Sequence, residues 1–204
     1  MFARTTGQRP FALVGIGCSA GCVPILVELI ATFDRSWPAA FVITLHIGPR
    51  ESFLPEILQK ECSLHVAHAK NYDLLEAHRV YIAPPDRHLI VHAAHLGLDT
   101  GPRQNWTRPA IDPMLCSAAD THGPAMTGIL LTGHLSDGAI GLECVHRQGG
   151  KTIVQDPAEA PASDMPINAM RKIGPDYVIG VKDMKDALEL CIMTNLEARM
   201  EVGL

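Results

Sequence analysis

At 204 residues, with 47% hydrophobic and 19% charged residues, the chain can bury one sizeable core, and its composition excludes a disordered or fibrous protein. A net charge of −5, with lysine and arginine scattered and no long basic run, leaves no electrostatic footprint for nucleic acid. No apolar stretch approaches the roughly eighteen residues of a membrane span, and the N-terminal MFARTTGQRPF lacks a secretory h-region, so a cytoplasmic protein without membrane insertion is expected.

The chain opens on a short apolar run, Phe11 to Ile16, which breaks into the small-residue turn Gly17-Cys18-Ser19-Ala20-Gly21 before a helical pattern begins at 22. A strand, a tight turn and a helix N-terminus make a place where backbone N–H groups can hold a hydroxyl or an anion. The turn matches G-x-S-x-G, which makes Ser19 a candidate nucleophile, although an α/β-hydrolase would have several strands before this point. A dinucleotide loop is the competing reading of Gly15, Gly17 and Gly21, but no acidic residue ends the second strand to hold a ribose.

Further strands are expected at 39–45, 64–67, 79–83, 88–92, 95–98, 126–132, 152–155 and 177–180, and helices at 22–33, 51–60, 112–121, 138–147, 164–172 and 183–200. The long apolar strands barely alternate, which suits strands covered on both faces, and the strand-then-helix order predicts an α/β fold with a doubly wound, mostly parallel sheet. HLIVH and HLGLD, separated by two alanines, read as a small antiparallel hairpin at one edge of the sheet. One domain over 1–204 is expected, with a flexible tail at 1–10, a flexible loop at 99–110 and a C-terminal helix within 183–204. Six cysteines at 18, 22, 62, 116, 144 and 191 contain no CxxC pair, which predicts thiols rather than a disulfide framework.

His46 directly follows the second strand, so its ring is expected at the carboxyl edge beside Ser19, where it could accept the hydroxyl proton. Asp137 follows another apolar strand in Leu131-Thr132-Gly133-His134-Leu135-Ser136-Asp137-Gly138. It could simply cap the helix that begins there, or orient a histidine and stabilise its imidazolium. His134, three residues earlier, competes with His46 for the role of base. Backbone N–H groups near His134 and at the helix start after Ser19, including that of Ala20, are candidate oxyanion donors. The pairs His65/His68 and His92/His95 have no clustered Cys, Asp or Glu around them, so no metal site is expected.

With these stretches in place, the chain resembles the catalytic domain of the CheB-type protein-glutamate methylesterases of bacterial chemotaxis. The blocks that carry the resemblance are VGIGCSAG, the strand ending in LHI, VYIAPPDRHLIV, TRPAID, GILLTGHLSDGAIGL, GGKTIVQDP and DMPINAM, spread from Phe11 to Val181. The resemblance implies a Rossmann-like parallel sheet, with Ser19 as nucleophile, His46 as base, Asp137 as orienting acid and the His134 N–H in the oxyanion hole. It also implies hydrolysis of glutamate methyl esters on a methylated chemoreceptor cytoplasmic helix, deamidation of glutamine by some members, and no cofactor. The chain departs from the family's usual pattern at Ala20, Cys22, Ala110 and His134. Members usually carry an N-terminal receiver domain; here phosphorylation control is expected to be missing or supplied by a separate response-regulator or signalling protein. The competing expectations are a catalytically weakened binding module and an esterase of small molecules.

Overall fold

The computed structural model describes residues 10–202, so the expected tail at 1–10 falls, except for Pro10, outside the described residues. The elements in chain order are β1 (Ala12–Cys18), α1 (Cys22–Ile30), β2 (Ala39–Leu45), α2 (Leu54–Gln59), β3 (His65–His68), β4 (Arg79–Ile82), β5 (His88–Val91), β6 (Leu96–Asp99), α3 (Ile111–His122), β7 (Met126–Leu130), α4 (Ala139–Arg147), β8 (Lys151–Gln155), α5 (Asp164–Ile173), β9 (Tyr177–Ile179) and α6 (Met184–Val202). Two of the expected helices are shorter than their patterns suggested. α1 ends at Ile30, where the Thr32 hydroxyl donates to the Leu29 carbonyl and closes a turn. α2 starts only at Leu54, with Pro55 in its first turn, a position that needs no N–H donor.

Seven strands form one sheet in the order β3-β4-β2-β1-β7-β8-β9, with every neighbouring pair parallel. β1 and β2 are buried along their whole length, which is why neither shows an alternating pattern. The chain leaves β1 toward β2 on one side and later returns to place β7 on the other. The crevice beyond the carboxyl end of β1 is therefore the topological switch point, where open α/β sheets gather their ligands. Val14, Ile16, Phe41 and Ile43 face α1, α2 and α6 on one side of the sheet, while Leu13 and Val42 face α3, α4 and α5 on the other.

The hairpin β5–β6 is antiparallel and stands as its own two-stranded sheet. It packs on the α3 side through Leu89, Val91 and Leu96, and the Val91 N–H donates to Ser117 Oγ on α3 at 3.0 Å.

Two expectations are overturned. Loop 99–110 is tied down rather than loose: the Arg108 guanidinium donates to the carbonyls of Thr100 and Gly101, each at 2.7 Å, and to Asp86. Buried His88 bridges the same loop, with Nε2 donating to the Pro102 carbonyl and Nδ1 accepting from the Ala110 N–H. Cys116 and Cys144 form a disulfide between α3 and α4, with their Cα atoms 5.1 Å apart. Their separation of 28 residues carries no local signal, because only the packing of the two helices brings them together. The other four cysteines, at 18, 22, 62 and 191, are free and buried.

Phe41 is fully buried in the centre of the sheet and stacks on Phe33 with ring centroids 4.0 Å apart. Phe41→Ala is expected to lower the unfolding free energy by about 3–5 kcal/mol, measured by urea unfolding; a loss below about 1 kcal/mol would mean the site collapses around the deletion.

Candidate active site

Three chain segments meet at the switch point. Ser19 follows β1 in a turn closed by Gly21, whose φ of 75° is the left-handed conformation that a residue with a Cβ resists. An added Cβ there would also stand 2.8 Å from the Pro161 side chain. His46 follows β2, its N–H bonded to the Cys18 carbonyl at 3.1 Å, which ties the end of β2 to the turn that carries Ser19. Residues 132–138 follow β7. There Thr132 locks the turn from the other side: its carbonyl accepts from the Ser19 N–H, and its hydroxyl donates to the Ala20 carbonyl and accepts from the Ala162 N–H, all at 2.9 Å. The Thr132 N–H donates in turn to Gln155 Oε1 at the end of β8.

The three expected residues stand in a hydrogen-bonded row. His46 Nδ1 lies 3.1 Å from Ser19 Oγ, and His46 Nε2 lies 2.6 Å from Asp137 Oδ2. A carboxylate only accepts, so Nε2 carries the proton and Nδ1 is left with a lone pair aimed at the serine hydroxyl. This is the reverse of the ring orientation in the serine-protease template, where Nε2 faces the serine. The same two contacts are made from the opposite edge of the imidazole.

Asp137 is 1% exposed and accepts at both oxygens. Oδ2 takes His46 Nε2 and the Ile111 N–H; Oδ1 takes Asn105 Nδ2 at 2.7 Å and the N–H groups of Asp112 and Gly138. Burial drives its carboxyl upward, but the bonds from His46, Ile111 and Asp112 outweigh that and hold it below the usual carboxylate range. Asp137 remains an anion at neutral pH, as an imidazolium partner must. Its capping role is also real but displaced: it caps the N-terminus of α3, while Asp112 caps α4 by accepting from Gly138 and Gly141 at 2.9 and 2.7 Å.

Asn105, Asp112 and Thr132 were not singled out by sequence reasoning. Asn105 sits in the loop expected to be flexible, and Asp112 was visible only as one letter of TRPAID. The signal that could have found Asp112 is its position in the first turn of a helix, where a carboxylate has several N–H groups within reach.

His134 is placed differently from His46. Its ring is exposed and its Nδ1 lies 3.1 Å from Asp164 Oδ2, so it competes for no contact with Ser19. Among the described residues the N–H groups of Ala20 and His134 donate to no acceptor, which leaves two free donors on the turns that flank Ser19. The thiol of Cys18, next to Ser19, is buried, and burial followed by its contact with Cys22 raises its pKa well above the usual value, so it is no rival nucleophile. His92 and His95 stack on each other at the end of the hairpin, with centroids 4.6 Å apart.

The sequence profile of the CheB methylesterase family matches residues 14–188. A putative protein-glutamate methylesterase/protein-glutamine glutaminase of Leptospira interrogans is 32% identical over 193 residues, covering 93% of this chain and 99% of that protein. The protein-glutamate methylesterase FrzG of Myxococcus xanthus is 37% identical over 164 residues, and there the match covers 79% of this chain and 49% of the relative. Among solved structures, the Thermotoga maritima CheB methylesterase catalytic domain superposes with a TM-score of 0.85 at 28% identity, covering 89% of this chain and 99% of that one. The seven-stranded parallel architecture and the matched sequence together place this chain in the CheB methylesterase family.

Proposed function

We propose that this protein hydrolyses the methyl esters of glutamate side chains on the cytoplasmic helix of a methylated chemoreceptor-like protein, and that it deamidates glutamine at equivalent positions. The observation that carries the reading is the row Ser19–His46–Asp137, with a lone pair at one end and a buried anion at the other. His46 Nδ1 takes the proton of Ser19 Oγ as that oxygen attacks the ester carbonyl, and Asp137 stabilises the imidazolium so formed. The negative charge that develops on the carbonyl oxygen is met by the free N–H groups of Ala20 and His134. His46 then protonates the leaving methoxide, methanol departs, and water activated by the same ring releases free glutamate. With glutamine the leaving group is ammonia. None of these steps calls for a metal or an organic cofactor.

The rim of the site supports a protein substrate over a small ester. Phe53, Trp106 and Leu135 come from three separate loops around the switch point and are 63%, 88% and 63% exposed. Trp106 and Leu135 are held at φ 66° each, a conformation that costs a residue with a side chain. The Leu135 carbonyl is fixed by Asn168 Nδ2 at 2.7 Å. Large apolar side chains held out into solvent beside a hydrolytic row suit an amphipathic helix laid across them. The proposed location is the cytoplasm, and a separate response-regulator or signalling protein is a proposed further partner. Among the described residues no helix is long and apolar enough to cross a membrane.

The test is methanol release from a methylated receptor fragment. Ser19→Ala and His46→Ala are expected to lose at least about 10³-fold in kcat, whereas His134→Ala, which keeps its N–H, is expected to lose less than about tenfold. Activity in His46→Ala together with its loss in His134→Ala would assign the base to the wrong ring. Inactive wild type that still captures the fragment would establish a binding module, and turnover of simple esters without any preference for the fragment would point to a small-molecule esterase.

Trp106→Ala tests the rim separately. It is expected to raise KM for the receptor fragment by about tenfold or more, in line with losing a large aromatic contact, while leaving turnover of a small methyl ester nearly intact. Equal effects on both substrates would remove Trp106 from the docking surface.

A further inference from the structure

Behind the Ser19–His46–Asp137 row lies a second carboxylate that the mechanism above does not use. Asp112 is 6% exposed and sits beside Asp137, which is 1% exposed. The two acids are joined by one side chain: Asn105 Nδ2 donates to Asp112 Oδ2 at 2.9 Å and to Asp137 Oδ1 at 2.7 Å. Asn105 reaches them from a two-residue turn in which Gln104 and Thr107 exchange backbone hydrogen bonds, with Asn105 and Trp106 both at positive φ. Gln104, Asn105, Asp112, Pro113, Cys116 and Ile140 line a cavity of about 240 Å³ on this side of the pair.

Helix capping by itself does not account for a carboxylate at position 112. Its acceptor role toward Gly138 and Gly141 could be filled by the neutral oxygen of Asn, Ser or Thr, the other residues favoured at such sites. A buried carboxylate next to another buried carboxylate is costly, because desolvation and like-charge repulsion act together. A charge retained against those two costs acts on what lies beyond it, and beyond it stands His46, reached through Asp137.

We propose that Asp112 and Asn105 are positioning residues of the hydrolytic row: Asn105 fixes the two carboxylates relative to each other, and the charge of Asp112 strengthens the hold of Asp137 on the His46 imidazolium. The inference rests on the assignment of Ser19, His46 and Asp137 above. The site then weakens on the acid side when Asp112 takes up a proton, before Asp137 does. Burial first, and the neighbouring Asp137 charge second, push the Asp112 carboxyl up to about 6, while the carboxyl of Asp137 stays low, so the pair divides into one acid that titrates near neutrality and one that does not. The ionisable group facing Asp112 is Asp137, from the segment before α4, and His46, after β2, is bonded to Asp137 on its far side; the remaining partners of Asp112 are the neutral amide of Asn105 and the N–H groups of Gly138 and Gly141.

The experiment is an NMR titration of the full chain, labelled in the His ring nitrogens and Asp carboxyl carbons, in wild type and Asp112→Asn. In wild type, the His46 ring signals are expected to show an inflection at the midpoint of the Asp112 carboxyl. In Asp112→Asn that inflection is expected to vanish and the imidazolium midpoint of His46 to fall by about 0.5–1 pH unit, the loss of one nearby negative charge. A folded Asp112→Asn protein with an unchanged His46 midpoint would overturn the proposal and leave Asp112 a helix cap. If that variant does not fold, the wild-type titration decides alone, since His46 signals indifferent to the Asp112 midpoint would overturn it equally. Asn105→Gly, which keeps the positive φ and removes the shared donor, is expected to raise the Asp112 midpoint; no change would remove Asn105 from the clasp. The acid limb of kcat/KM for methanol release is expected to move with the His46 midpoint. Wild type that releases no methanol would overturn the proposed function, while the titration would still decide whether Asp112 acts on His46.

Discussion

A carboxylate buried to 1% exposure has to be surrounded by donors, and much of the geometry on the α3 side of the sheet follows from supplying them to Asp137. Its donors come from the end of β2, the 105–106 turn, the first turn of α3 and the segment that opens α4. For those elements to converge, α3 and α4 must approach closely at their N-termini. Gly141 permits this, since a Cβ there would stand 2.7 Å from Leu115 Cβ and 3.3 Å from the Asp112 backbone. Gly138 contributes differently, turning the chain at φ 91° so that both its own N–H and the Asp137 carboxylate face α3. The two helix ends then exchange caps: Asp137 satisfies α3 and Asp112 satisfies α4.

Ser19 and His46 are tied to this arrangement through Asp137 but are positioned by the sheet. β1 lies between β2 and β7, so the loops leaving these three strands share one crevice, and Thr132 ties the turn of the first to that of the third. Ser19 and His46 therefore sit on short connections from fully buried strands, which restricts their movement far more than a long loop would. The long loop of the site, 99–110, is instead immobilised by Arg108 and His88, and it delivers Asn105.

What could be read in the sequence was what depends on local pattern. The strand–turn–helix around Ser19, the placing of His46 after an uninterrupted apolar strand and the placing of Asp137 after another all follow from periodicity and the carboxyl-edge rule. What could not be read was what depends on distant partners. The 99–110 loop has the Gly, Pro and polar content of a flexible segment, and nothing local shows that Arg108 will find two carbonyls and Asp86. Cys116 and Cys144 pair because two helices pack, and the hairpin forms a separate sheet because Leu89, Val91 and Leu96 are drawn onto α3. Asp112 fell between these cases. Its helix was legible, but the charge pair it forms with Asp137 exists only in three dimensions.

The departures from the pattern of the family gain a physical meaning from the same geometry. At position 134 the histidine ring turns away to Asp164 and the backbone N–H stays free, so this departure leaves the donor in place. Cys22, the first residue of α1, points into the core from the inner face of that helix and adds no polar group to the crevice. Ala110 has the larger consequence. It occupies the N-cap position of α3, where a serine could accept from the first turn of the helix, and it has no side chain able to do so. The Ile111 and Asp112 N–H groups are met by Asp137 instead. In this chain, the carboxylate bonded to His46 also meets the first N–H groups of α3, so loss of the Asp137 charge would loosen the helix that carries Asp112 as well as the ring that faces Ser19.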